Sequence, residues 1–461
     1  MVPQRKQDGY LLVLVLVFGS IFLVMLISLM GFVISQKNLQ ELRNDQEYAL
    51  LIAEAGLNYY KWFLAHNPDD TTNGTGSPGP YVHDFLSATG TKLGEFSLEV
   101  TGNELCGTLM SIDIESTGRP IDDLDVERTL YARYARPTVA EYAYIINDNV
   151  WAGADRVIIG PYHSNGIIRM DGTNNSTVSS GQESWECDNS ELSCNPPYTT
   201  GETLDAVFGA GPNFDLWQTG VPPIDFAGIT LDLSAMESSA ISDGRHWGPS
   251  GARGYRIDFL GASNDFDLYR VDATNADHII TSETLIGRYS IPSSCPLVFV
   301  EDKLWLEGAV DTRVTVAAAR VSDSSDPDII LQDNITYASD AGGLLAVGEN
   351  NVLIGIDVPD EMEINGIFVA QEGYFGREYY GSSYGVHRCK DELTINGTIV
   401  SRGRVGTKWT GSGCSSPTGS YGSGFAERTN SYDRKLVEDP PPLTPETSDT
   451  YRFIEWREME E

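Results

Sequence analysis

The chain begins with a long apolar run that follows a short basic stretch. The first six residues carry Arg5 and Lys6 and no acid, and the 25 residues from Tyr10 to Ile34 carry no charge. As a helix this run would be about 37 Å long, against about 30 Å for the hydrocarbon core of a bilayer. A secretory signal has an apolar region of only about 7–15 residues. We therefore predict a retained membrane helix, with the N-terminus in the cytoplasm and the bulk exported.

The helical pattern continues past the apolar run and changes character. Residues 36–47 read QKNLQELRNDQE, which is polar and rich in good helix formers. From Tyr48 the sequence is YALLIAEAGLNYYKWFLAH, which is apolar on nearly every side. Its polar positions fall on one narrow helical stripe, formed by Glu47, Glu54, Asn58 and Lys61. We predict one helix over residues 10–66, ended by Asn67-Pro68, with its second half buried in a globular domain.

Three stretches after this helix alternate between apolar and polar residues. They are residues 95–101 (EFSLEVT), 109–115 (LMSIDIE) and 128–137 (RTLYARYARP). Alternation with period two is typical of half-buried strands. We expect an antiparallel meander laid over the helix, which makes a compact α+β module.

A different pattern recurs in the remainder of the chain. Several stretches alternate, reach a glycine and alternate again. These are residues 303–316, 361–373, 392–404 and, more weakly, 167–181, with Gly308, Gly366, Gly397 and Gly172 in them. Short strands with corner glycines favour the stacked rungs of a right-handed β-solenoid. A β-sandwich is the alternative, although its strands would be spaced more evenly.

These patterns divide the chain into regions. We expect a basic leader at 1–9, the transmembrane half of the helix at 10–34, a globular module at 35–137, a β-rich region with long loops at 138–295, a solenoid-like domain at 296–437, and a Pro-rich spacer with a C-terminal tail at 438–461.

The charge balance limits the partners. With 31 Lys and Arg against 66 Asp and Glu, the net charge of the 461 residues is −35. Such a protein repels polyanions, which argues against direct binding of nucleic acid or anionic lipid.

The six cysteines are even in number and follow an export-type N-terminus, which favours disulfides. Cys187 with Cys194 and Cys389 with Cys414 are plausible local pairs, and this leaves Cys106 with Cys295. A metal site is the alternative, but the chain has no C-x-x-C spacing and no H-x-H or H-E-x-x-H motif. We expect no cofactor.

Three further features of the sequence are candidates for a functional site. Residues 381–385 fit G-x-S-x-G, but no helical pattern follows, so Ser383 with His387 is expected to be an ordinary loop. Asp323, Asp326 and Asp328 form a weak Ca²⁺ candidate, with a solvated turn as the alternative. A dense aromatic group next to arginine is a candidate binding surface, or else a cover for the end or side of the β-domain. It comprises Tyr374, Phe375, Arg377, Tyr379, Tyr380 and Tyr384.

The N-terminal features together resemble the type IV pilin and pseudopilin superfamily, and most of all the PilX-type minor pilins. The resemblance rests on the leader ending in Gly9, the aromatic Tyr10, the apolar helix, AEAG at 53–56 and the meander, over about residues 1–137; the exported β-rich region also looks PilX-like. It implies that a prepilin peptidase cuts between Gly9 and Tyr10. Most members carry Glu where this chain has Leu14, and subunits without that Glu are typically those that cap a filament.

The resulting expectation is a minor pilin without enzymatic activity. It would be inserted in the bacterial cytoplasmic membrane and then lie on the pilus or cell surface, at or near the filament tip. Other pilin subunits, the prepilin peptidase and a surface receptor or glycan would be its partners, and its role would be priming or adhesion. A membrane-anchored binding protein outside any filament is the alternative, and a carbohydrate-active β-solenoid enzyme is the third.

Overall fold

The computed structural model describes residues 10–188, 192–194, 197–228, 232–261, 263–322 and 325–459. The predicted leader with Gly9, and Asp323 of the calcium candidate, lie outside these residues. The chain forms two compact units. The first contains the chain up to Thr101, Ile112–Tyr134 and the C-terminal segment from Glu455; the second contains Gly102–Ser111 and Ala135–Ile454.

The first unit is built on one long helix, α1 (Tyr10–His66). Its apolar side chains from Tyr10 to Ile34 are almost all exposed, as in Phe22, which is 64% exposed. The second half instead buries a set of mostly apolar residues, which are Ala49, Ile52, Ala53, Gly56, Leu57, Tyr60, Phe63 and Leu64. Among the described residues, α1 is the one helix long and apolar enough to cross a membrane. The two-part helix is therefore as the sequence predicted.

A sheet follows α1, with the order β1-β2-β3-β4 and the C-terminal strand of the chain beside β4. Its first strands are β1 (Tyr81–Leu86), β2 (Lys92–Leu105), β3 (Thr108–Pro120) and β4 (Arg128–Ala135). The pairs β1–β2 and β3–β4 are antiparallel. The meander was predicted with three strands. The additional strands are β1 and the segment at the C-terminus, which was expected only to be a tail.

The second unit contains short strands throughout. They are β5 (Tyr144–Ile146), β6 (Val150–Ala152), β7 (Arg156–Ile159), β8 (Tyr162–Ser164), β9 (Ile168–Met170), β10 (Thr173–Asn174), β11 (Val178–Ser180), β12 (Ser184–Glu186), β13 (Thr203–Asp205), β14 (Val207–Phe208), β15 (Trp217–Gln218), β16 (Arg245–Trp247), β17 (Gly254–Leu260), β18 (Asp265–Thr274), β19 (Ile280–Ser290), β20 (Leu297–Val300), β21 (Leu304–Val310), β22 (Arg313–Ala318), β23 (Ile329–Tyr337), β24 (Gly343–Gly348), β25 (Val352–Ile354), β26 (Glu361–Ala370), β27 (Phe375–Arg377), β28 (Cys389–Ser401), β29 (Lys408–Ser416) and β30 (Gly419–Ser431); the C-terminal strand is β31 (Arg452–Glu458). Helices α2 (Leu233–Ser242) and α3 (Arg434–Glu438) and the 3₁₀ segments Val139–Glu141, Phe214–Leu216 and Ser382–Arg388 complete it.

Most of these strands pair in parallel and stack into ladders. One ladder runs through β16, β20, β22, β24, β26, β28, β5, β8, β11 and β15. A second runs through β17, β21, β23, β26, β28, β30, β7 and β10. Shorter parallel sets join β23, β25 and β27, and β6, β9 and β14. The β-sandwich alternative would consist of antiparallel sheets. These ladders do not fit it, because their neighbouring strands run in the same direction.

The core follows from the register of the first ladder. One column of apolar side chains points inward from successive strands, and every member is buried: Val298, Val316, Ala346, Phe368, Ile399, Tyr144, Tyr162 and Val178. The next residue along each strand faces the other way. These residues form a second cluster under α2, through Phe299, Ala317, Val347, Val369 and Val400 with Leu233, Met236 and Ala240. The ladder is therefore buried on both faces, as parallel strands usually are.

The order of strands in the stack differs from their order in the chain. Strands β28 and β30, near the C-terminus, pair with β5 and β7, which come first in this unit. The two ends of the first ladder are therefore β16 and β15, although these strands are consecutive in the sequence. The boundary expected between 138–295 and 296–437 therefore does not separate two compact units, because strands from both regions share the same ladders.

Three of the four glycines predicted as corners, all except Gly172, have a positive φ, and the cysteines pair as the sequence suggested. Gly308, Gly366 and Gly397 have φ of 105°, 147° and 143°, in the region that side chains rarely adopt. The disulfides are Cys106–Cys295, Cys187–Cys194 and Cys389–Cys414, with sequence separations of 189, 7 and 25 residues. These are the pairs that the sequence suggested.

Candidate binding groove

A groove of about 850 Å³ lies in the second unit, within the range of small-molecule sites. It is formed where the β6–β7 turn, the segment before β27 and the β29–β30 hairpin come together. We call it the Trp409 groove. Its aromatic lining residues are Trp151, Tyr374, Trp409 and Tyr421, and its charged ones are Asp155, Arg156, Asp171, Arg404, Lys408 and Arg428.

Trp151 is held in place on one part of the lining. Its indole Nε1 donates to Asp171 Oδ2 at 2.7 Å, and Arg169 lies over the ring with its guanidinium carbon 4.1 Å from the centroid. The other oxygen of Asp171 accepts from the Ala210 backbone N–H at 2.9 Å. Because Arg169 Nε also donates to Asp171, at 2.9 Å, this carboxylate is committed to orienting the indole.

Trp409 and Tyr421 are fixed on the hairpin. The indole Nε1 of Trp409 donates to the carbonyl oxygen of Arg377 at 2.9 Å, while 40% of the side chain remains exposed. Tyr421 is buried and donates its hydroxyl to the Lys390 carbonyl at 3.0 Å. An ordered ring with an exposed surface costs little conformational entropy on binding, which makes Trp409 a suitable contact for a ligand.

A buried charge cluster lies beside these rings. Asp155 Oδ2 accepts from Arg428 Nη2 at 2.6 Å and lies 3.2 Å from Lys408 Nζ. Burial by itself would raise the pKa of Asp155, but the two cations more than offset it and hold the pKa below its usual value. The pKa of Arg428 is lowered to about 10, mainly by burial and to a smaller extent by repulsion from Arg156.

Arg156 adds a cation that this carboxylate does not neutralise. It is the direct ladder neighbour of Arg428, and only 4% of it is exposed. Its guanidinium donates to the Tyr144 hydroxyl at 3.3 Å and to Thr407 Oγ1 at 3.1 Å, and both acceptors are uncharged. Its Nε is buried and has no hydrogen-bond partner among the described residues. The groove lining thus holds four cations and two carboxylates in a protein with a net charge of −35.

The aromatic surface proposed from the sequence is largely internal. Phe375 and Arg377 have no exposed surface, and Tyr380 is 4% exposed. Arg377 donates to backbone carbonyls of residues 355, 356, 387 and 388, a structural role. Inclusion of these three in a binding surface was therefore wrong, and the alternative of a covering role fits them. Tyr374 lines the Trp409 groove, Tyr379 is 56% exposed, and Tyr384 donates to Asp277 Oδ1 at 2.6 Å.

The other sequence candidates show no assembled site among the described residues. Asp328 is engaged by Lys303 at 3.2 Å and by the side-chain amides of Asn350 and Asn351, and Asp326 is exposed. Ser383 lies exposed in the 3₁₀ segment Ser382–Arg388. His387 Nδ1 instead lies 3.1 Å from Asp357 Oδ1, within hydrogen-bond distance. The calcium site stays a prediction that nothing tests.

Sequence reasoning missed one group that could hold a metal. His246 Nε2 lies 2.9 Å from Glu301 Oε1 and 3.8 Å from Glu237 Oε1, and their side chains are between 12% and 23% exposed. One imidazole and two carboxylates suit a divalent transition ion. The residues come from β16, α2 and the position directly after β20, so no local spacing could have indicated them.

A second groove of about 530 Å³ is lined in part by Arg256, Glu283 and Glu307. Burial raises the pKa of Glu307 and of its ladder neighbour Asp258. Arg256 contacts both of them and also Glu283, with Arg256 Nη2 2.5 Å from Glu283 Oε1. Adjacent carboxylates of raised pKa are one element of a glycosidase site, but these are bound to a shared arginine.

Comparison with known proteins gives little further information. No family model matches the chain, and no curated protein matches it. Among solved structures, the competence-associated pilin ComZ from Thermus thermophilus is similar at 13% identity, covering 90% of this chain and 97% of that chain, with a TM-score of 0.29. A likeness this distant carries no conclusion about function.

Proposed function

We propose that this protein is a PilX-like minor pilin or pseudopilin of a type IV filament. The observation that carries the proposal is the division of α1. Its first 25 residues are exposed and uncharged, whereas residues 49–64 bury one face. Exposed apolar surface of this extent is stable only in lipid or against other apolar helices. A subunit whose helix first lies in the membrane and later packs against the helices of other pilin subunits in a filament meets both conditions.

The position of Leu14 bears on where in the filament the subunit would lie. A carboxylate at this depth of a membrane helix is costly unless it has a partner, and in pilins that partner is the amino terminus of a neighbour. Leu14 is 54% exposed and cannot form such a pair. We place the subunit at or near the tip, where one of the two neighbouring positions is vacant. Prepilin peptidase would cut between Gly9 and Tyr10, leaving the helix in the cytoplasmic membrane and the rest exported.

The second unit would present the adhesive or priming surface. We propose that its parallel ladders form a right-handed β-solenoid, which is a rigid support for a binding site. The Trp409 groove is the site we assign to contact with a surface receptor or glycan. The net charge of −35 makes direct binding of nucleic acid unfavourable, and we propose no enzymatic role.

Mass spectrometry of the mature N-terminus tests the pilin assignment. A chain beginning at a methylated Tyr10, recovered with filaments sheared from the cell, is the expected result. A chain beginning at Met1 or Val2 that stays with the membrane after shearing would contradict it and favour a plain membrane-anchored binding protein. A start beyond residue 34 would indicate a cleaved signal.

A carbohydrate-active enzyme is the alternative, and burial raises the pKa of the two carboxyl groups it would use, Asp258 and Glu307. If they act as an acid and base pair, the purified protein releases reducing ends from a polysaccharide and Glu307→Gln abolishes the release. We expect no release of reducing ends from the unchanged protein or from Glu307→Gln, because Arg256 forms ion pairs with both carboxylates.

A further inference from the structure

We propose that the Trp409 groove binds a short or terminal acidic sugar, with the carboxylate of the sugar at Arg156. This inference names the ligand class of the binding role proposed above and rests on that role. It depends on three features: an excess of buried positive charge, an unfilled donor on Arg156, and exposed aromatic surface beside both.

The first feature is uncompensated charge. Arg156 and Arg428 are neighbours in the ladder and both are at least nine-tenths buried, with Lys408 close to the same carboxylate. Asp155 contacts Arg428 and Lys408, and Glu427 also attracts Lys408, so two carboxylates act on three cations. Burying a charge without a counter-ion costs several kcal/mol in a typical protein. An anion that enters the groove would recover much of this cost, so the site is poised for a negative group.

The second feature gives that anion a contact. The Nε of Arg156 is buried, has no hydrogen-bond partner among the described residues, and belongs to a side chain that lines the groove. Arginine presents paired donors that match the two oxygens of a carboxylate. Its present partners, Tyr144 and Thr407, are neutral hydroxyls and leave the positive charge intact.

The third feature favours a sugar over a simple anion. Trp151, Tyr374 and Trp409 line the same groove, and the indoles are fixed by hydrogen bonds from their Nε1 atoms. The C–H face of a pyranose ring is apolar and packs well on such rings, whereas phosphate offers them nothing. A volume of about 850 Å³ accommodates a disaccharide-sized ligand.

The overall charge limits the length of this ligand. The field of the −35 charge opposes long polyanions such as nucleic acid. A single carboxylate in the groove responds mainly to charges within about 8–10 Å, because salt screens those farther away. The site therefore suits one acidic residue, for example at the end of a surface glycan.

Calorimetric titration of the full-length protein in detergent tests the proposal. The probes are a disaccharide ending in glucuronic acid, its neutral counterpart ending in glucose, inorganic phosphate and a short single-stranded oligonucleotide. We expect the acidic disaccharide to bind at least tenfold more tightly than the neutral one, with affinity falling as salt rises. Equal affinity for the two disaccharides, or tighter binding of phosphate or the oligonucleotide, would overturn the inference.

Matched variants locate the binding. Trp409→Ala should weaken the acidic disaccharide at least tenfold, and Arg156→Met should remove the preference for acid. The controls are Trp456→Ala, an exposed tryptophan on β31, and Arg402→Met, an exposed arginine paired with Glu372. If Arg156→Met does not fold, Trp409→Phe provides the test. Because phenylalanine keeps an aromatic ring, this variant should retain most of the affinity for the acidic disaccharide if the side chain at 409 contacts the sugar and does not only support the fold. Unchanged affinity in Trp409→Ala rejects the site.

The pilin assignment fails separately from this one. N-terminal mass spectrometry and filament shearing report on assembly and do not depend on the sugar. A protein that assembles but ignores the acidic disaccharide contradicts only the ligand class.

Discussion

Ser116 on β3 donates its hydroxyl to the carbonyl oxygen of Ala53 on α1 at 2.8 Å, and both residues are completely buried. The contact shows how close the helix lies to the sheet in the first unit. Two glycines permit that closeness. A Cβ on Gly56 would collide with Ser116 Oγ, and a Cβ on Gly118 would collide with the Ala49 carbonyl oxygen.

Gly118→Val should detach the buried half of α1 from the sheet. Its nearest obstacles are backbone atoms of Ala49 and Ala53, which cannot rotate away, so we expect a loss of several kcal/mol. Ser116→Ala removes one hydrogen bond and should cost only about 1 kcal/mol. Hydrogen exchange of the amides of residues 49–64 measures both. Equal protection in the two variants would show that the helix does not depend on this approach.

Removal of Cys106–Cys295 should destabilise the second unit more than removal of Cys187–Cys194. The separations are 189 and 7 residues, and loop-closure entropy gives about 5 and about 2 kcal/mol respectively. The measurement is the denaturant midpoint of the two Cys→Ala double variants under oxidising conditions. A larger loss in the Cys187 and Cys194 pair would contradict the entropic ordering.

Arg377→Met should be strongly destabilising even though the hydrogen bonds of Arg377 within the described part of the chain go to backbone carbonyls. The change removes a fully buried donor from four carbonyl acceptors, of which that of Ile356 is buried, and the loss of such a network costs several kcal/mol. Arg402→Met is the control, since Arg402 is exposed and its ion pair with Glu372 is worth well under about 1 kcal/mol. Thermal unfolding distinguishes them, and similar melting temperatures would refute a structural role.

Asp155→Asn should reduce stability at neutral pH and have less effect in acid. The pKa of Asp155 is held low in the folded protein, so its contribution is complete above the unfolded pKa of about 4 and is lost as pH falls through the folded value. At pH 7 the variant leaves Arg428 and Lys408 buried without their carboxylate. Melting temperatures measured from pH 7 to pH 3 should therefore converge. A difference independent of pH would contradict the charge argument.

Leu14→Glu should increase the number of copies in each sheared filament, because the new carboxylate can pair with the amino terminus of a neighbour in lipid. Leu14→Gln, polar but uncharged, is the control. Quantitative mass spectrometry of the filament fraction gives the copy number. No change in Leu14→Glu would contradict the proposal that Leu14 restricts the subunit to the tip.

Local patterns were sufficient for much of the architecture. The uncharged run and the apolar residues behind it determine a two-part helix, because helix formation and burial depend on the nearest few turns. Alternation and corner glycines likewise indicated short strands in the second unit. The cysteine pairs followed from spacing for the two local disulfides and from elimination for Cys106 with Cys295.

The candidate site was not available from the same patterns. Arg377 and Phe375 looked like surface residues because aromatic and arginine side chains cluster at interfaces, and a sequence does not show which side of a turn faces the core. Trp151 and Trp409, 258 positions apart in the chain, line one groove only because β30 pairs with β7.

The sequence by itself determined the long apolar helix, its buried continuation and the β-rich character of the remainder of the chain, since each depends on hydrophobic periodicity over a short span. Only the tertiary structure decided that β28 and β30 pair with β5 and β7, and this non-consecutive pairing places Arg156 beside Arg428. The reason is physical. The pattern of a strand shows that it must pair with another strand, but the backbone hydrogen bonds of a ladder are the same for any partner. Only the packing of the whole core selects which strand that partner is.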